Sequence, residues 1–288
     1  MTHYTLELPE VDLVYDVHGP LPTADGQPPL VMIGQPMDAS GFQAQVKLFE
    51  DRTVVTYDPR GLGRSTRKDG GVTNEPETQA EDVHAIIQAL GAGPVDMLAS
   101  SGGAVSALAL VTAYPNDVSI LVAHEPPIDC VLPDTAAVQR AREAFTQVYQ
   151  DKGWGAGMAA FIAMTSWEGE VTDDYLAQPP PDPATFGMPT EDNGTRDDPL
   201  LSDRSWAVAL YQPNLEALKA APTRIIVAVG EESTKVYTGR SAIALAEQLG
   251  QQATVFPSHH GGFMGGEFGY AGQPEAFAAK LREVLSQP

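Results

Sequence analysis

Cysteine is almost absent from the chain: Cys130 stands alone among 288 residues. No disulfide can form within the chain, and no thiolate cluster can hold zinc or an iron-sulfur centre. Cys130 reads as a small apolar residue of the core. Basic residues are scarce too, 17 Lys and Arg against 38 Asp and Glu, giving a formal charge of −21. A surface so acidic repels nucleic acid and anionic membranes and favours solubility. No uncharged apolar run is long enough to span a bilayer, and the opening Met1-Thr-His-Tyr-Thr-Leu-Glu7 lacks the basic-then-apolar order of a secretory leader. A cytoplasmic location is expected. Internal repeats are missing as well. What is present, 43% hydrophobic and 19% charged residues, suits a globular chain able to bury a sizeable core.

Periodicity divides the chain. Residues 3–17 alternate apolar and polar in two runs (Tyr4, Leu6, Leu8; Val11, Leu13, Tyr15, Val17), which predicts two half-buried antiparallel strands. Short continuous apolar runs follow at 29–33, 53–57, 95–99, 118–123, 224–229 and 253–256, the signature of strands buried on both faces. Helical spacing fills the intervals at 78–90, 102–113, 239–249 and 274–285. Strands alternating with helices at these lengths predict an α/β fold with a mostly parallel, doubly wound sheet. From about Asp134 to Ala220 no buried strand is expected. Helical stretches at 136–151, 156–166 and 205–220 surround a proline-rich acidic loop at 178–199, which suits a flexible lid or a solvated loop equally. The division expected is a core of residues 1–133 and 221–288 with an inserted helical cap at 134–220.

The stretch Val95-Asp-Met-Leu-Ala-Ser-Ser-Gly-Gly-Ala104 is an apolar strand that breaks into a small-residue turn and continues as a helix. It has the form of a nucleophile elbow, whose strained central residue needs small neighbours two positions either side. Centring on Ser101 places Ala99 and Gly103 there, whereas centring on Ser100 would place Leu98 there. Ser101 is therefore the candidate nucleophile. Other chemistries lack their motifs. His124-Glu125 cannot open an H-E-x-x-H helix because Pro126 and Pro127 follow, and the glycine-rich turns lack the lysine of a phosphate-binding loop. No metal and no cofactor are implied.

Four elements occur in a fixed order: the turn Gly34-Gln35-Pro36, the segment Asp58-Pro-Arg-Gly-Leu-Gly-Arg-Ser65, the elbow at Ser101, and His259-His-Gly-Gly-Phe263 after the last strand. In that order they resemble the α/β-hydrolase superfamily over the whole core, from about Tyr4 to Leu285. The resemblance implies the α/β-hydrolase fold, with Ser101 as nucleophile and His260 as its base, His259 taking a position that is usually small or polar. It implies an oxyanion hole formed by the backbone N–H groups of Gln35 and Gly102. Ile33 stands where the superfamily often has a histidine. Arg60 is expected as a structural ion-pair partner, and His3, His18 and His84 as surface or capping residues.

The acid has two candidates. The usual position, a few residues past the strand at 224–229, falls in Gly230-Glu-Glu-Ser233, where Ser233 replaces the customary Asp and Glu232 is the available carboxylate. Glu125 follows the strand at 118–123, where haloalkane dehalogenases and zearalenone-type lactonases are known to place their acid. Glu125 is preferred, with Glu232 as the alternative. A serine at the elbow argues against dehalogenase and epoxide hydrolase chemistry, which runs through an alkyl-enzyme ester. The expected activity is that of a serine hydrolase acting through an acyl-enzyme on a small-molecule carboxylic ester or lactone. A carbon-carbon bond hydrolase and a cofactor-free perhydrolase use the same set of groups, and a ligand receptor can be built on the same fold.

Overall fold

In a computed structural model of the protein, which describes residues 1–287, strands and helices alternate through most of the chain. An antiparallel pair, β1 (Thr2–Glu7) and β2 (Val11–His18), leads into β3 (Leu30–Gln35), a 3₁₀ turn at Ala39–Phe42, α1 (Gln43–Leu48) and β4 (Val54–Tyr57). Next come β5 (Thr66–Arg67), α2 (Pro76–Leu90), β6 (Val95–Ser101), α3 (Gly102–Ala113) and β7 (Val118–His124). Helices α4 (Thr135–Lys152), α5 (Trp154–Thr165), α6 (Asp173–Leu176), α7 (Trp206–Ala209) and α8 (Leu215–Ala220) then precede β8 (Arg224–Gly230). The chain closes with α9 (Tyr237–Gln248), β9 (Thr254–Phe256) and α10 (Pro274–Ser286). Among the described residues no helix is long and apolar enough to cross a membrane.

The sheet has nine strands in the order β1-β2-β4-β3-β6-β7-β8-β9, with β5 paired to β2. From β3 to β9 every pairing is parallel, and β1, β2 and β5 add the antiparallel margin. Parallel strands need helical crossovers, which cover both faces and bury β3 along its whole length and β6 as far as Ser100. One core cluster joins Val31, Ile33, Met97 and Ala99 to α2, α3, α9 and α4. The other joins Leu30, Met32, Leu98 and Val122 to α1 and α10 through Phe42, Phe277 and Leu281. α2 starts with Pro76 at its first turn, turns a stripe of Val83, Ile86 and Ile87 inward, and stops where Gly91 takes the left-handed conformation.

Sequence and structure differ at a few places. The two-residue strand β5 lies in the segment after Asp58, too short to give a periodic signal. The helix expected over 205–220 is two helices, α7 and α8, because Pro213 can neither donate to a helical bond nor sit in a helix interior. Cys130 is half-buried at the edge of the core rather than inside it. The loop at 178–199 packs on α5: a Cβ at Gly155 would fall 1.8 Å from the Pro189 carbonyl oxygen. Arg60 does pair, through Nε and Nη2, with Asp82, each at 2.7 Å, and both residues are buried.

A second buried cluster ties α4 to α9 and to the turn that follows β7. Arg142 donates to Asp129 at 3.2 Å and to Tyr237 Oη at 3.0 Å, while the Tyr237 hydroxyl donates to Asp129 at 2.5 Å. Removing one member of such a set strands a buried charge.

The first turn of α3 meets β3 at close range. A Cβ at Gly103 would lie 2.7 Å from the Gly34 Cα and 2.8 Å from the Ile33 carbonyl oxygen, and neither backbone atom can rotate away. Gly103→Ala is therefore expected to destabilise the protein by about 1–3 kcal/mol, read as a lower urea midpoint with an unchanged m-value.

Candidate active site

The site gathers at the carboxyl ends of the central strands, where the order reverses between β3 and β6, the place at which open α/β sheets bind ligands. Register aligns its members: Gln35 pairs with Ser101, Ser100 with His124, and His124 with Ala228. Ser101 caps β6 and precedes α3 with φ 58° and ψ −131°, a conformation forbidden to most side chains and held only because its surroundings dictate it. Gly102, first residue of α3, has no intrahelical carbonyl for its N–H, and the helix dipole adds positive potential at that end. A Cβ on Gly102 would sit 2.7 Å from the Gln35 carbonyl oxygen, so both sequence-predicted oxyanion positions lie directly beside Ser101. The Gln35 carboxamide is buried, and neither its oxygen nor its nitrogen has a partner among the described residues.

Glu125 leaves β7 in the left-handed region at φ 49°, and its own N–H donates to the Ala228 carbonyl at 3.0 Å. This kink turns a fully buried carboxylate across β8. Oε1 accepts from the Gly230 N–H at 2.8 Å, and Oε2 accepts from the Thr238 hydroxyl and from His260 Nδ1–H, each at 2.6 Å. A carboxylate only accepts, so the His260 proton is on Nδ1 and Nε2 carries a free lone pair. Burial is the largest influence on Glu125 and would raise its pKa. The bonds from His260 and Thr238, with the charge that His260 can carry, reverse that and hold the carboxyl well below its ordinary range. Glu125 is thus an anion at any pH near neutral.

The other carboxylate, Glu232, is exposed on the turn after β8, and its side chain makes no hydrogen bond among the described residues. The structure brings Glu125 to His260 and leaves Glu232 apart. His259 is occupied elsewhere: its Nε2–H donates to the Ala271 carbonyl at 3.1 Å, and Nδ1 accepts from the Gly261 N–H at 3.0 Å. It shapes the loop that carries His260. Ser258, at φ 71°, turns the chain just before them. Ser101 Oγ makes no hydrogen bond among the described residues, and nucleophile–base bonds are commonly long in unliganded enzymes. Among the described residues no three His, Cys, Asp or Glu side chains are grouped so as to hold a metal ion.

Three contributors escaped the sequence reading. Thr238 begins a helix as many threonines do, and nothing local marks it as a partner of Glu125. His124 carries no signal in the sequence beyond its place beside Glu125. Asp58 accepts from the Ala39 N–H at 3.0 Å and from Arg64 Nε at 2.7 Å, and so fixes the turn that follows Gln35.

The model of the alpha/beta hydrolase family matches residues 17–280. The hydrolase YraK of Bacillus subtilis is 28% identical over 98% of this chain and 96% of its own. A thermophilic esterase from Thermogutta terrifontis superposes with a TM-score of 0.63 at 21% identity, covering 99% of this chain and 98% of the esterase. An enol-lactonase from Burkholderia xenovorans superposes with a TM-score of 0.62 at 16% identity, covering 99% of this chain and all of that one. With the family's pattern running through nearly the whole sheet and the elbow, the chain belongs to the alpha/beta hydrolase family.

Proposed function

We propose that the protein is a serine hydrolase that cleaves carboxylic esters, lactones included, through an acyl-enzyme on Ser101. The observation that carries this reading is the bond from His260 Nδ1 to the sealed Glu125 carboxylate, at the mouth of an elbow whose central residue is a serine. With Nδ1–H committed to Glu125, Nε2 is the base. It takes the Ser101 proton as Oγ attacks the acyl carbon, and Glu125 stabilises the imidazolium that forms. Negative charge gathers on the former carbonyl oxygen, and the Gly102 and Gln35 N–H groups are the donors for it. His260 then protonates the leaving alkoxide. A water activated by the same imidazole releases the acid and restores Ser101. Residues 134–220 act as the cap over this site and set the shape of the substrate pocket. The relatives named esterase and enol-lactonase are in keeping with this class of substrate.

A fluorophosphonate probe is expected to label Ser101 alone. Labelling of Ser100 by mass spectrometry, or of no serine, would overturn the assignment. Aryl esters and lactones should be turned over by the wild type and not by Ser101→Ala, and turnover should persist in excess EDTA.

Glu125→Gln is expected to lower kcat by a factor on the order of 10⁴, because the amide stabilises neither the tautomer nor the imidazolium. Glu232→Gln should leave kcat within about twofold, as expected for a surface substitution. Thr238→Val removes a hydrogen bond to a charged group and should cost about 10- to 100-fold in kcat, with KM little changed.

A further inference from the structure

His124 is a fully buried histidine that the reaction above does not use. It ends β7, and its ring is walled by Phe256, Phe263 and Phe277 at centroid distances of 6.2, 6.2 and 5.3 Å, the last two edge-on. Nδ1 lies 3.1 Å from the hydroxyl of Ser100, itself buried. Nε2 is buried with no hydrogen-bond partner among the described residues, and Glu125 Oε1 stands 3.9 Å from it. Glu125 is therefore flanked by two histidines: His260, half-buried and bonded to it, and His124, sealed beneath and bonded to Ser100.

We propose that His124 is a positioning residue for the Glu125–His260 pair: a neutral imidazole that carries its proton on Nε2, facing Glu125, and accepts the Ser100 hydroxyl proton on Nδ1. The inference rests on the reading of Glu125 and His260 as the acid and base. The tautomer follows from the charge beside it. A bare Nε2 lone pair would face an anion, which is repulsive, whereas an Nε2–H presents the positive end of a dipole to it. With Nε2 protonated, Nδ1 is free to accept, and Ser100 supplies the one donor at hand. The second proton that would make the ring cationic is opposed by burial, which pushes the imidazole down to about 4 even though Glu125 pulls the other way. The ring stays neutral.

The consequence reaches His260, whose ring centroid is 6.1 Å from that of His124. A carboxylate closed off from water would hold a neighbouring imidazolium tightly and leave the base protonated when it is needed free. A positive dipole end aimed at the same carboxylate lowers the proton affinity of the whole pair. The other titratable groups around the pair are His259 on the same loop, Tyr270 packed on His259 at 4.7 Å, and Glu231 and Glu232 on the turn after β8. Beyond Thr238 stand Tyr237, Asp129 and Arg142. The variants below leave all of these in place.

Two measurements on the full chain decide the matter. Imidazole ¹⁵N shifts, with His124 assigned by its loss in His124→Phe, should report the Nε2–H tautomer unchanged from about pH 5 to pH 9. The Nδ1–H tautomer, or protonation within that range, overturns the proposal. In kinetics, His124→Phe fills the same aromatic slot without an N–H, so the ascending limb of kcat/KM should move to higher pH by several tenths of a unit to about one. At neutral pH kcat/KM should fall about two- to tenfold. His124→Gln, which returns an N–H, should recover most of the shift. A limb that stays in place or moves to lower pH in His124→Phe overturns the proposal, because a purely structural ring would lower stability without moving the limb upward. Should the phenylalanine variant fail to fold, shifts assigned instead by the perturbation in Ser100→Ala decide it. The tautomer is read without turnover, so a failure of the hydrolase reading, seen as unchanged activity in Ser101→Ala, is distinct from a failure here.

Discussion

The contact that the rest of the site depends on is the near-touching of α3 and β3 at Gly102 and Gly103. No side chain separates the helix from the strand there, so the chain must turn from β6 into α3 within a single residue. That residue is Ser101, and its unusual backbone angles are the cost of the turn. Backbone strain of this kind amounts to about 1–3 kcal/mol per residue and survives only where packing over-determines it. α3, buried from Gly102 to Val111 in the core beside α2, provides that packing.

Strain recurs wherever the site has to depart from the sheet. Of the four non-glycine residues with left-handed backbone among the described residues, Ser101, Glu125 and Ser258 lie within the site or flank it directly. Each ends or follows a strand, and each redirects the chain so that a polar side chain comes back over the strand ends. A regular continuation of β7 would send Glu125 along the alternating pattern of the sheet, away from Gly230 and Thr238. The left-handed turn instead lays the carboxylate across the neighbouring strand, where two donors besides His260 are already fixed.

Much of this was legible in the residues. Short continuous apolar runs alternating with helical spacing are the mark of strands covered on both faces, so the parallel sheet followed from 29–33, 53–57 and 95–99 together with the helices between them. Ser101 over Ser100 followed from the size of Ala99 against Leu98. The choice of Glu125 over Glu232 required knowing which carboxylate the sheet would bury, and the clue was indirect: Ser233 where an acid is customary. What stayed hidden was set by tertiary approach. Thr238 acquires its role from a carboxylate 113 positions away in the chain, through its own hydroxyl bond to Glu125. The loop at 178–199 suited a lid or a solvated loop equally by composition, and the bed that Gly153 and Gly155 give its Asp192 and Pro189 is visible only in the packed structure.

The Arg142–Asp129–Tyr237 cluster bears on how freely the helical segment between β7 and β8 can be exchanged. Asp129 and Tyr237 belong to the stretches that flank the strand ends, whereas Arg142 comes from α4. A graft that replaced the helices from another hydrolase, in order to transfer its substrate preference, would leave Asp129 buried beside Tyr237 with no cation unless the donor happened to supply one. Tyr237 is also the residue that precedes Thr238. The segment is therefore less of an interchangeable module than its place between two strands suggests, and a chimera would have to carry this one arginine across its junction to keep Thr238 and the Glu125 carboxylate it bonds in register.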